Sequence, residues 1–101
     1  MAKSILQPNG VKECFFTGRT DNLELHHIFF GTANRKVSDR EGFFVFLSNE
    51  YHTGSSHSVH QSRAMDLMLK QDCQMKYEEK NSRESFVRLI GRNYLDDGIN
   101  D

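Results

Sequence analysis

The sequence predicts an α+β domain in which a β-hairpin is crossed by one long helix, with a knuckle before the hairpin and a short helix at the end. Three observations carry that expectation. Leu23-Glu24-Leu25-His26-His27-Ile28 alternates apolar and polar residues, the period-two signal of a half-buried strand. Phe43-Phe44-Val45-Phe46-Leu47 is the strongest strand signal in the chain, and it ends at Ser48-Asn49. From about Val59 the period lengthens. Met65, Leu67, Met68, Leu69, Cys73 and Tyr77 then form an apolar stripe at helical spacing, which predicts a helix over 59–79.

The remaining elements follow in chain order. Residues 1–11 carry the only proline, Pro8, followed by Asn9-Gly10, and read as an irregular arm ending in a turn. Cys14-Phe15-Phe16 and the turn residues Thr17 to Asn22 read as a knuckle: strand, tight turn, return. Thr32 to Gly42 is polar, with Arg35, Lys36 and Arg40, and reads as a loop with at most one helical turn. Residues 50–58 read as a loop of small residues and histidine. Asn81 to Ser85 supplies a break and a new N-cap. Phe86, Val87, Leu89 and Ile90 form a second, short helix, with Gly91 as its stop. Tyr94-Leu95 is expected to pack back on the core, and residues 96–101 to fray as an acidic tail.

The totals bound what such a chain can be. At 101 residues it can bury one modest core, so 1–101 is expected to be a single domain. Eight Phe and no Trp make Phe the main core filler. The net charge of −1 does not announce a protein that lives on phosphate, since cation–phosphate contacts supply most such affinity; a local basic patch is still compatible with it. Cys14 and Cys73 are far apart and form no disulfide framework; both read as buried core positions. The N-terminus does not read as a signal peptide, and no apolar run approaches the roughly 18 residues of a membrane helix. The expectation is a chain with no membrane partner, cytoplasmic in a bacterial host cell.

All five histidines fall between residues 26 and 60, and this is the sequence's main chemical feature. His26-His27 ends a strand, His52 and His57 lie in the following loop, and His60 sits near the start of the long helix. Convergence of these groups would suit phosphodiester hydrolysis. A divalent cation neutralises the phosphoryl and the leaving oxygen, and a neutral imidazole makes the attacking hydroxide. Adjacent strand residues normally point to opposite sides, but at a strand end or bulge His26 and His27 can share a site while doing different jobs, one on the metal and one on water. His57 reads as a solvated loop residue.

The run from Cys14 through His26-His27-Ile28-Phe29-Phe30-Gly31, with Asn34-Arg35-Lys36, resembles the small phage-encoded HNH proteins. The stretch from Val59-His60 through Met65-Asp66-Leu67-Met68-Leu69-Lys70-Gln71 is similar to their following helix. Ser82 to Phe86 and Gly91-Arg92-Asn93-Tyr94-Leu95 match their ending, so the resemblance spans about 12–95. It implies a ββα-metal finger holding one divalent ion (Zn, Mg, Mn or Ni). His26 and His60 would be ligands, with His52 the next candidate. His27 would be the general base, oriented by Asn49 or, second, Asn34. Arg35 and Lys36 would touch DNA phosphates, with Arg40 in the same segment.

The chain also departs from that pattern. Relatives with a structural zinc carry Cys or His where this chain has Thr17, Ser48 and Tyr51, so no four-ligand structural zinc is expected and the Phe cluster must hold the knuckle. Ser62 stands where relatives often have Asn. The resemblance therefore implies two functions: a metal-dependent endonuclease acting on DNA, or a metal-binding scaffold without catalysis that inhibits a host nucleic-acid-targeting protein such as a CRISPR effector.

Overall fold

The computed structural model describes residues 3–95 and is α+β. Two strands, β1 (Leu23–His27) and β2 (Phe44–Ser48), pair antiparallel, and four helices surround them: α1 (Thr32–Glu41), α2 (Asn49–His52), α3 (Arg63–Glu78) and α4 (Arg83–Ile90). The register sets Leu23 opposite Ser48, Leu25 opposite Phe46 and His27 opposite Phe44. Glu24, His26, Val45 and Leu47 therefore share one face, and Leu23, Leu25, His27, Phe44 and Phe46 share the other.

The first face is the core face. Val45 and Leu47 are fully buried there, with Ile28, Phe29, Phe43, Leu69, Cys73 and Phe86. Phe rings dominate the packing. Phe86 lies 5.4 Å from Phe29, 6.0 Å from Phe43 and 5.7 Å from Tyr77, which ties α4 to the β1–α1 and α1–β2 junctions and to α3. Tyr94 returns to this core as expected, its ring 5.5 Å from Phe29 and its amide donating to Gln74 Oε1 at 2.8 Å. No helix among the described residues is long and apolar enough to cross a membrane.

Three segments differ from the sequence reading. Residues 32–41 form a ten-residue helix rather than a loop. The helix faces inward with Asn34, Val37, Ser38 and Glu41, of which only Val37 is apolar, so no hydrophobic stripe marks it. Polar side chains dock it instead: Ser38 Oγ donates to the Phe29 carbonyl at 2.9 Å, and Asn34 Nδ2 to the Ile90 carbonyl at 3.2 Å. Gly42 ends it in the left-handed region (φ 82°), where a Cβ would also collide with the Lys3 carbonyl. Second, residues 49–52 form the one-turn helix α2 where a loop was expected. Third, the long helix begins at Arg63, not near 59, because Ser62 caps it by accepting from the Met65 amide at 3.2 Å. Leu67 and Met68 of the stripe are exposed, and Leu69 and Cys73 are its buried members.

The final helix matches its signals. Ser82 caps it through the Ser85 amide, and Gly91 stops it at φ 94°. The knuckle's tight turn is present, with the Gly18 amide donating to the Cys14 carbonyl at 2.8 Å, but residues 3–22 contain no strand. Phe15, Phe16 and Tyr51 stack in series there (5.4 and 5.1 Å), and the Phe15 amide donates to the Phe46 carbonyl at 2.9 Å. The arm's first two residues and the acidic tail, 96–101, lie outside the described residues.

Phe86 is fully buried among three aromatic rings, so Phe86→Ala should cost about 3–5 kcal/mol by denaturant unfolding. A cost below about 1 kcal/mol would mean that α4 is not part of the core.

Candidate metal centre

The alternation of β1 delivers Glu24 and His26 to the core face and His27 to the opposite one. His26 is 2% exposed, and its Nε2 is the one buried side-chain nitrogen or oxygen among the described residues with no hydrogen-bond partner. Burial holds the ring neutral, and His52, His60, His27 and Lys70 add to this, so its pKa is pushed down to about 3.

His52 comes from α2, which β2 enters directly. The chain then loops back, and two backbone bonds fasten the return: the Val59 amide donates to the Tyr51 carbonyl (2.8 Å) and the His60 amide to the His52 carbonyl (3.2 Å). That pairing sets His60 beside His52, just ahead of α3 rather than on it. The three rings converge, with centroids 5.2 Å apart for His26–His52, 5.0 Å for His26–His60 and 4.6 Å for His52–His60.

His26, His52 and His60 form a group that could hold a metal ion, each offering a nitrogen within 4.8 Å of the others. The Nε2 atoms of His52 and His60 are 3.0 Å apart. A tetrahedral ion with Zn–N bonds of about 2.0–2.1 Å would set its ligands roughly 3.3 Å apart, close to that gap. The donor chemistry fits as well. His52 Nδ1 lies 2.6 Å from Glu24 Oε1, and a carboxylate only accepts, so Nδ1 carries the proton and the Nε2 lone pair faces the group. Glu24 is held below the usual carboxylate range, chiefly by that hydrogen bond. His60 is pushed below the ordinary histidine range, first by burial and then by His52. Burial thus keeps His26 and His60 neutral, as metal ligation requires.

The other expected site residues fall elsewhere. His27 is on the opposite face, with Nε2 2.7 Å from Asp39 Oδ1 of α1. Asn49 does not reach His27; its Nδ2 donates to Glu24 Oε2 at 3.4 Å and to Thr53 Oγ1 at 3.3 Å. Asn34 is occupied with Ile90. Arg35, Lys36 and Arg40 lie on the exposed face of α1 with Asp39, at the i, i+1, i+4 and i+5 spacing that shares one side of a helix. Arg40 pairs with Glu41 at 3.2 Å. His57 pairs with Glu50 at 2.9 Å, outside the group. Ser62 serves as a helix cap. At the knuckle, Cys14 Sγ donates to Ser48 Oγ at 3.7 Å. Burial raises its pKa, but hydrogen bonds with Thr17, Ser48 and the backbone outweigh it and bring the thiol to about 7.

Sequence reasoning missed two carboxylates. Glu24 had a signal, since it stands two residues before His26 on the same strand face. Asp39 had none, because its reach to His27 depends on α1 being a helix. No protein-family model, curated protein or solved structure matches the chain, so the chemistry of the site rests on its own geometry.

Glu24→Gln should weaken Zn²⁺ or Ni²⁺ binding about 10–100-fold in titration calorimetry, by loosening the tautomer and orientation of His52. His57→Ala should leave binding unchanged. Metal-free protein should also lose stability in acid. His26 takes up a proton near pH 6.5 when unfolded but only near pH 3 when folded, so its contribution is complete above about 6.5 and lost as pH falls toward 3. The slope from this group is about 1.4 kcal/mol per pH unit. Urea midpoints at several pH values would show it, and His26→Leu should flatten the dependence by about one proton; an unchanged slope would show that His26 is not held neutral.

Proposed function

We propose that the protein is a metal-dependent phosphodiesterase of the HNH kind that cleaves DNA. The observation that carries this reading is the partnerless His26 Nε2, buried and facing His52 and His60, next in sequence to a histidine paired with a carboxylate. His26, His52 and His60 would hold one divalent ion. When bound, the ion supplies charge neutralisation on the scissile phosphate and on its leaving oxygen.

The chain's own residues supply the proton chemistry. Asp39 accepts from His27 Nε2, which leaves the Nδ1 lone pair free. His27 is the last residue of β1, and at that strand end its Nδ1 would take a proton from water, the resulting hydroxide attacking phosphorus as the ester oxygen departs. Asp39 thereby takes the orienting part expected of Asn49, while Asn49 steadies Glu24. Arg35 and Lys36, exposed on the helix that carries Asp39, would place the DNA backbone without reading its bases. Imidazole suits Zn²⁺ and Ni²⁺, so both suit the ligand set better than Mg²⁺ or Mn²⁺, which favour oxygen ligands.

A second reading is supported by the net charge of −1 and by the engagement of Asn49 with Glu24 rather than His27. There the metal is structural, and the protein binds and blocks a host nucleic-acid-targeting enzyme such as a CRISPR effector.

A plasmid and single-strand cleavage assay with Mg²⁺, Mn²⁺, Ni²⁺ and Zn²⁺ in turn separates the two. The nuclease reading expects nicking that falls about 10²–10⁴-fold in His27→Ala with metal binding retained. Asp39→Asn should lower kcat about 10–100-fold. Absence of cleavage from protein shown to hold metal would sink the catalytic reading in favour of the inhibitor.

A further inference from the structure

Ile28 and Phe29 are buried, but the next residue, Phe30, is 51% exposed. Its ring does not lie loose. The Lys70 ammonium sits 4.5 Å from the ring centroid and 5.6 Å from that of Tyr94. Lys70 is itself only 12% exposed and pairs with Asp66 at 2.8 Å. A lysine normally carries its charge into water, so a tucked lysine beneath an outward phenylalanine holds the ring rather than the reverse. The ring borders an open groove of about 310 Å³ whose walls include His60, Gln61, Arg63 and Asp66. His60 belongs to the three-histidine group, and its ring centroid is 6.3 Å from that of Phe30. Arg63 is exposed in the same groove.

We infer that Phe30 is a stacking platform for a nucleobase beside the metal centre, and that the substrate is a single-stranded or locally unpaired strand. The inference rests on the phosphodiesterase reading and names its substrate class. A phosphate engaged at the metal group has its own sugar and base within reach of the neighbouring groove. An exposed aromatic ring receives any base, because every base presents a π face. A base inside a duplex is already stacked on both sides and must leave the helix to use the ring, which costs unpairing energy. Arg63 lies where it can meet the adjoining phosphate, with no sequence preference.

The test measures kcat/KM of the metal-loaded full chain on one oligonucleotide, as a single strand and as a duplex, for the native protein and for Phe30→Ala, Phe30→Leu and Phe30→Trp. Metal content and thermal melting are recorded for each, and Phe30→Leu keeps the apolar bulk without the π face. The native protein should favour the single strand. Phe30→Leu and Phe30→Ala should lose about 10-fold on the single strand and much less on the duplex, with metal content unchanged, and Phe30→Trp should keep the preference. If the native protein cleaves but Phe30→Leu treats the two substrates as the native protein does, the platform is refuted and the nuclease reading stands. Equal losses on both substrates also refute it. If the native protein cleaves neither, both readings fall together.

Discussion

Everything at the site depends on one imidazole nitrogen buried with nothing to bond. Leaving a buried polar atom unsatisfied costs about 1–3 kcal/mol, so such an atom calls for a partner, a bound ion being one. His26 Nε2 is that atom, and the elements around it have the effect of surrounding it with nitrogen donors. Strand alternation turns His26 inward. A one-turn helix follows β2 at once and swings His52 over it. Two backbone bonds fold the next segment back so that His60 completes the group before α3 begins. The Ser62 cap fixes where α3 starts and so keeps His60 off the helix. The three-histidine group is thus a property of junctions between elements rather than of any one element.

The same strand separates two kinds of histidine. His26 faces the core and His27 faces α1, and each side has a carboxylate that sets a tautomer. Glu24 accepts a hydrogen bond from the Nδ1–H of His52 and so aims a lone pair at the other two histidines. Asp39 sits on Nε2 of His27 and leaves Nδ1 available. In both cases the acid chooses which nitrogen is basic, the detail on which ligation and proton transfer turn. Adjacent residues with opposite orientations and opposite nitrogens exposed are suited to different tasks, which is why the pair is more informative than either histidine alone.

What the sequence made legible follows the same physics. The strands, α4 and its caps, and the return of Tyr94 were readable because apolar period and capping residues announce them. The three histidines were readable as candidates because all five histidines of the chain fall between residues 26 and 60. Helix α1 was not readable, since Asn34, Ser38 and Glu41 face inward and hydrogen bonds hold it where a stripe of Leu or Ile would otherwise be expected. The start of α3 was misplaced for a related reason. Val59 is buried and looks like a helical apolar position, yet its amide is committed to Tyr51. Asn49 was read as a partner of His27 from the family resemblance, but partnership depends on which face of β1 it reaches, and it reaches Glu24.

The ordering of α1 changes how the charge should be weighed. A net charge of −1 spread evenly would oppose contact with a phosphate backbone, and in a floppy loop Arg35 and Lys36 would be two solvated cations among many charges. On a capped helix they occupy the side that also carries Asp39, and Asp39 is bound to His27. The cations and the proposed base are therefore fixed relative to one another by a single rigid element. Local potential is set by charges within about a Debye length, roughly 8 Å in physiological salt, so a small cationic face can act while the whole chain is slightly acidic. The acidic balance of the sequence accordingly says little about this surface, and the arrangement on α1 says more.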